Sequence, residues 1–238
     1  MLRTYFFAGM GVLFLLVALI GFGPSFVLPL LGGKFDFSAH VWLHAIIMFG
    51  WLALYITQAS LISGRNPGLH CRLGGLSVAL FLAIMASAIF VSVNGLLKPL
   101  PLPVERLIDN IFFLQLVSFF IAPLLYVLGW QARRKHPQYH KRYMLLLTFY
   151  LIEAAASRMT WLPGMADPDK FLIPQYLYLD ALLIPLIVFD WRTLGHISRA
   201  TILGVGLLLI YQVIAVLVWN SPLWLSTVDG LEHFLSSF

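Results

Sequence analysis

The sequence predicts an all-α integral membrane bundle of seven transmembrane helices, with the N-terminus cytoplasmic and the C-terminus outside. Three observations predict it: a composition that water would not solvate, seven apolar segments of spanning length, and a one-sided distribution of Lys and Arg. Of the 238 residues, 61% are hydrophobic and only 11% charged, against roughly 45–50% apolar and about 25% charged in soluble domains. A helical span takes about 20 apolar residues to cross a hydrocarbon core about 30 Å thick. Residues 1–238 therefore supply several crossings in a single domain and leave no length for a separate soluble one.

The apolar segments are 5–22, 41–62, 73–93, 108–130, 143–162, 173–189 and 200–219, and Pro, Gly and charged residues punctuate every gap. The first follows Arg3 as a signal peptide would, but Gly21-Phe22-Gly23-Pro24 does not read as a cleavage site, so the segment is taken as a span. Connections are short, which makes sequential helices antiparallel neighbours. The sixth segment carries Pro174, Asp180 and Pro185. Prolines free backbone groups that hydrocarbon cannot satisfy, so this helix should break or bend against protein or a polar cavity.

Orientation follows from the basic residues. Arg3, Arg65, Arg72, Arg133, Arg134, Lys135, Lys141, Arg142, Arg192 and Arg199 fall on one side of the membrane. Only Lys34, Lys98, Arg106 and Lys170 fall on the other, which puts the N-terminus inside. Asp36, Glu105, Asp167, Asp169, Asp229 and Glu232 lie outside, with Asp190 the inside exception. The formal net charge of +5 gathers in short loops beside apolar spans, so it reads as topology and contact with membrane lipids, with no nucleic-acid partner. A single cysteine, Cys71, excludes an intramolecular disulfide and a c-type haem attachment. Nucleophile motifs, Gly-rich phosphate loops and a retinal-type lysine in the last span are all missing, which argues against hydrolase, ATPase and rhodopsin functions.

A charge at the centre of a span costs about 2.5–3.5 kcal/mol on insertion scales, so each one needs a partner or a cavity. Glu153, Arg158 and Asp180 are such residues. With His40 and His44 they form an expected polar site in the outer half of the bundle. His40 and His44 are four apart and share a helix face, which continues through His44, Trp51 and Gln58 with Tyr55 beside it. Glu153 and Arg158 are five apart, about 140° around a helix, so each should bond to a different helix. Two readings stay open. In the first, the histidines ligate a divalent metal or shuttle protons, the acids balance charge, and Arg158 holds an anion. In the second, the same residues form a hydrogen-bond network that fixes helix packing, the favoured role for His40 and for Asp109.

A second set lies on the cytoplasmic side: His70-Cys71-Arg72-Leu73-Gly74-Gly75 opening the third span, and His136 and His140 ahead of the fifth. Paired imidazoles from two helices hold haem iron in membrane b-type cytochromes, and Gly74 and Gly75 would admit a flat macrocycle. His70 and His140 are thus candidate ligands of one haem b. At a span boundary among Arg and Lys, a histidine more commonly contacts lipid phosphate, and the glycines equally permit close helix packing, as Ala154-Ala155-Ala156-Ser157 do. Trp42, Trp161, Trp191, Trp219 and Trp224 read as interfacial anchors.

On His44 with Trp51 and Gln58, on His70 with Arg72-Leu73-Gly74, and on the run from His140 to Leu146, residues 41–158 resemble a group of bacterial multi-pass membrane proteins known only as a domain of unknown function. Cys71 stands where that pattern has a second basic residue. The resemblance implies a bacterial inner membrane and no particular activity. The spacing of histidines is also similar to that of cytochrome b561-type proteins, which hold two haems with four histidines on four successive helices. The span 108–130 has no histidine, so that similarity implies one haem at most. Three functions follow as expectations: a redox protein exchanging electrons with a quinone, a transporter or sensor of a small molecule, or an accessory subunit packed against partner membrane subunits.

Overall fold

Glycine and proline end the helices where the apolar runs are interrupted. The computed structural model describes residues 2–33 and 37–235; Lys34 and Asp36, two of the charges used for orientation, lie outside the described residues. Helix α1 (Leu2–Gly21) is followed by a π-helical turn, Gly23–Val27, and a single turn α2 (Leu28–Leu31). Pro24 has no N–H to continue the ladder of α1, and the chain bends there by 60°. Helices α3 (Ala39–Ser63) and α4 (Pro67–Leu96) form a hairpin. Arg65 takes φ 57° in the turn, and Asn66 caps α4 by accepting from the Leu69 amide at 3.2 Å. Next come α5 (Leu102–Lys135) and α6 (Pro137–Leu151), joined at His136, then the single turn α7 (Glu153–Ala156). Helices α8 (Leu172–Ala181), α9 (Ile184–Leu194), α10 (Arg199–Val218) and α11 (Pro222–Leu235) complete the chain.

The described residues contain helices and no strands. Five helical stretches are long and apolar enough to cross a membrane: Ala39–Ser63, Pro67–Leu96, Val104–Lys135, Leu172–Leu194 and Arg199–Val218. The bent pair Tyr5–Gly21 and Gly23–Leu31 is a sixth if taken as one span. Leu82, Phe120, Leu177, Leu203 and Leu217 on these helices are exposed. A belt of exposed leucine and phenylalanine on long helices is a surface for lipid, and the chain is an integral, multi-pass membrane protein.

The expected fifth span departs furthest from its reading. Helix α6 is only 15 residues long, starts before residue 143, and is the centre of the bundle, packed on α1, α3, α5 and α10. Eight of its residues, from Arg142 to Tyr150, are buried. Helix ends by Ala156, so Arg158 sits in the following turn and not on the helix. Close packing explains the small residues there: Ala155 and Ala156 are buried, and α1 lies against α7. The sixth expected span breaks as anticipated, at Leu182 and Leu183 between α8 and α9, because Pro185 denies the Ala181 carbonyl its helical partner. Pro174, in contrast, lies in the first turn of α8, where a missing N–H costs nothing.

Helix α11 lies beyond the seven expected spans and packs on the N-terminal part of α5. Val228 is buried, Trp224 stacks on Phe112 and meets Phe113 edge-to-face, and its indole N–H donates to the Asp109 carbonyl at 3.0 Å. Trp224 is therefore a packing residue. Arg106 bridges Asp229 at 2.7 Å and Asp109 at 3.3 Å. Burial, then the neighbouring Asp109, Glu105 and Asp229 carboxyls, push Glu232 from the ordinary 4.5 up to about 7. An acid with a raised folded value contributes stability below its unfolded value and loses it as pH rises through the folded one. Hydrogen exchange of α11 amides, corrected for its intrinsic pH dependence, should thus show weaker protection at about pH 8 than at about pH 5. Glu232→Gln should flatten the difference, and equal protection at both pH values would contradict it.

Candidate functional site

The seven site residues expected from the sequence fall into separate groups. His40 bonds to Ser38 at 3.2 Å and packs edge-on to Phe90. His44 Nδ1 bonds to Ser87 Oγ at 3.0 Å. Their partners differ, and among the described residues no three His, Cys, Asp or Glu side chains gather as a metal site would require. Below them the expected stripe does turn inward. Trp51 and Tyr55 are buried, and the Trp51 indole donates to Thr148 Oγ1 at 3.1 Å on α6.

Glu153 faces α8 and α10. Tyr211 Oη donates to its two oxygens at 3.0 and 3.1 Å, and Gln175 Nε2 donates at 3.3 Å. Asp180 accepts from Gln212 Nε2 at 2.9 Å, one residue along α10 from Tyr211. Arg158 turns the other way, donating to the Ala154 carbonyl at 2.5 Å and lying 4.6 Å above the Phe22 ring. Glu153 and Arg158 are not paired with each other, but Arg158 lies beyond the end of α7 and bonds back to its own turn and not to a different helix. The Phe22 ring also lines a small apolar cavity of about 30 Å³ with Met48, Trp51 and Ile152.

On the other side, the first turns of α4 and α6 bring His70 and His140 together, with ring centres 6.3 Å apart and planes at 78°. His70 Nδ1 lies 3.3 Å from the Gln58 carbonyl of α3, and His140 Nδ1 lies 2.9 Å from the Gly129 carbonyl of α5. A carbonyl oxygen only accepts, so each Nδ1 donates its hydrogen, and Nε2 is the nitrogen of each ring left for a further partner. Gly74, one turn from His70 on its own face, and Gly75 have nothing within 4 Å of where a Cβ would stand. Helix packing does not explain them. Beside the pair, Tyr126 stacks on Phe81 at 4.3 Å and on Trp130, with Arg133 over the Trp130 ring at 3.9 Å.

One group went unread in the sequence. Arg142 and Asp190, both counted only as topology charges, form a fully buried ion pair. Arg142 Nε donates to Asp190 Oδ1 at 2.8 Å, a second guanidinium nitrogen reinforces it, and Nη1 donates to the Gln138 carbonyl at 2.7 Å. Asp190 Oδ2 accepts from the Ser198 amide at 3.0 Å and Thr201 Oγ1 at 2.6 Å, which caps α10. The signal was Asp190 itself, the one acid among inside bases. The pair is complete, so its role is to lock α6, α9 and α10 together.

No protein-family model, curated protein or solved structure matches the chain.

Proposed function

We propose that this chain is a membrane redox protein that holds one b-type haem between His70 and His140 and exchanges electrons with a quinone. The observation that carries the reading is the imidazole pair. With ring centres 6.3 Å apart and contributed by two different helices, His70 and His140 are the residues that would hold the iron of a haem. Backbone carbonyls on both Nδ1 atoms supply the outer hydrogen bond that orients ligand histidines and leaves Nε2 for iron. Gly74 leaves room for a flat macrocycle on the His70 face.

When bound, haem supplies one-electron chemistry. The protein's own residues orient the ligands, and Trp51, Phe81, Tyr126 and Trp130 pack on one another as an aromatic cluster in the bundle. The proposal includes the arrangement that sequence favours: seven spans with α6 and α7 as the fifth, the N-terminus cytoplasmic, and a bacterial inner membrane. Its test is the absorption spectrum of protein purified from haem-replete cells. A Soret band that sharpens on reduction, absent from a folded His140→Ala variant, is expected. Wild-type protein without a Soret band or extractable haem would refute it.

A further inference from the structure

A carboxylate inside a membrane bundle needs a positive charge or a proton, and Glu153 has no cation bonded to it among the described residues. Its partners are Tyr211 and Gln175. Around it, Tyr150 Oη, Tyr176 Oη and Gln175 Oε1 are buried without a hydrogen bond. Their residues are 6%, 5% and 0% exposed. Three unpartnered oxygens beside one carboxyl, brought from α6 and α8, are polar groups that internal water satisfies. We infer that Glu153 is a reversible proton-binding site, served by water held between α6, α8 and α10.

The donor pattern selects a proton over a metal cation. Tyr211 Oη and Gln175 Nε2 point hydrogens at the carboxyl oxygens, and those hydrogens would oppose a cation bound at the same lone pairs. A proton adds to one oxygen and leaves the other to accept. The step is a transfer from hydronium to the Glu153 carboxylate, giving the carboxylic acid and water, and its reverse. Glu153 is itself half-buried and its neighbour Ala154 is exposed, so the carboxyl lies close to the surface of the protein. The titratable groups facing it are Tyr150 on α6, Tyr176 on α8 and Tyr211 on α10. Residues 6–21 of α1, which packs against α7, contribute none.

Infrared difference spectroscopy of the full chain in lipid nanodiscs, titrated over roughly pH 5 to 9, tests this without reference to haem. A protonated-carboxyl band that grows on acidification and shifts in deuterated water is expected in wild-type protein. Glu153→Gln should remove it and Asp180→Asn should leave it. Tyr211→Phe deletes one donor and should move the band to higher frequency, a readout that survives if Glu153→Gln fails to fold. A wild-type spectrum with no titrating carboxyl band overturns the inference, as does a folded Glu153→Gln variant that keeps the band.

Discussion

Asp190→Asn should cost this protein about 3–5 kcal/mol of stability, the range for breaking a buried ion pair from one side. Asparagine has the shape of aspartate and can still accept from Ser198 or Thr201, so little packing is lost. What remains is the Arg142 guanidinium, 0% exposed, with its charge unpaired between α6, α9 and α10. Chemical denaturation in detergent, followed by tryptophan fluorescence, would measure the loss. Replacing both partners by apolar residues, Arg142→Met with Asp190→Leu, should recover most of it, because the cost lies in the orphaned charge more than in the missing bond. A single-variant loss below about 1 kcal/mol would mean that water reaches the pair.

Gly21→Ala should be nearly as damaging, at about 3 kcal/mol, the upper range for overpacking. A Cβ at Gly21 would stand 2.1 Å from the Ala155 carbonyl oxygen and 2.6 Å from its carbon. Both are backbone atoms, so α1 and α7 would have to separate. At Gly129 the obstacle is the far end of the Met144 side chain, which can rotate aside at lower cost. At Gly9 nothing lies within 4 Å, and Gly9→Ala should be neutral or stabilising by up to about 1 kcal/mol through helix propensity. Thermal unfolding of the three variants in one detergent would check the order; a Gly21→Ala melting point equal to wild type would contradict it.

Both predictions rest on contacts that the sequence did not disclose, and the reason is specific to membranes. In a soluble helix, the apolar stripe marks the buried side. In α3, α4 and α10 lipid is as apolar as the core, so the sequence does not say which face meets a neighbour. Leu208 and Leu209 are adjacent leucines, yet one is buried and the other exposed. Where the pattern was polar, orientation could be read: the stripe from His44 through Trp51 and Tyr55 turned inward as its spacing required. The same holds for punctuation, since Pro24 and Pro185 break helices through chemistry local to their own turn.

His70 and His140 were named as a pair from residue type and topology, while the carbonyls of Gln58 and Gly129 that orient them come from two other helices. Glu153 was legible as a charge that needed a partner; Tyr211 and Gln175 as that partner were not. By itself the sequence determined an all-helical chain with long apolar helices, the break at Pro185, and the side chains that hydrocarbon would not tolerate. Tertiary structure alone decided that short α6 is the centre, that Arg142 meets Asp190, and that α11 folds back on α5. Length, composition and proline act within one segment, whereas pairing depends on how segments rotate against one another in a solvent that rewards no particular face.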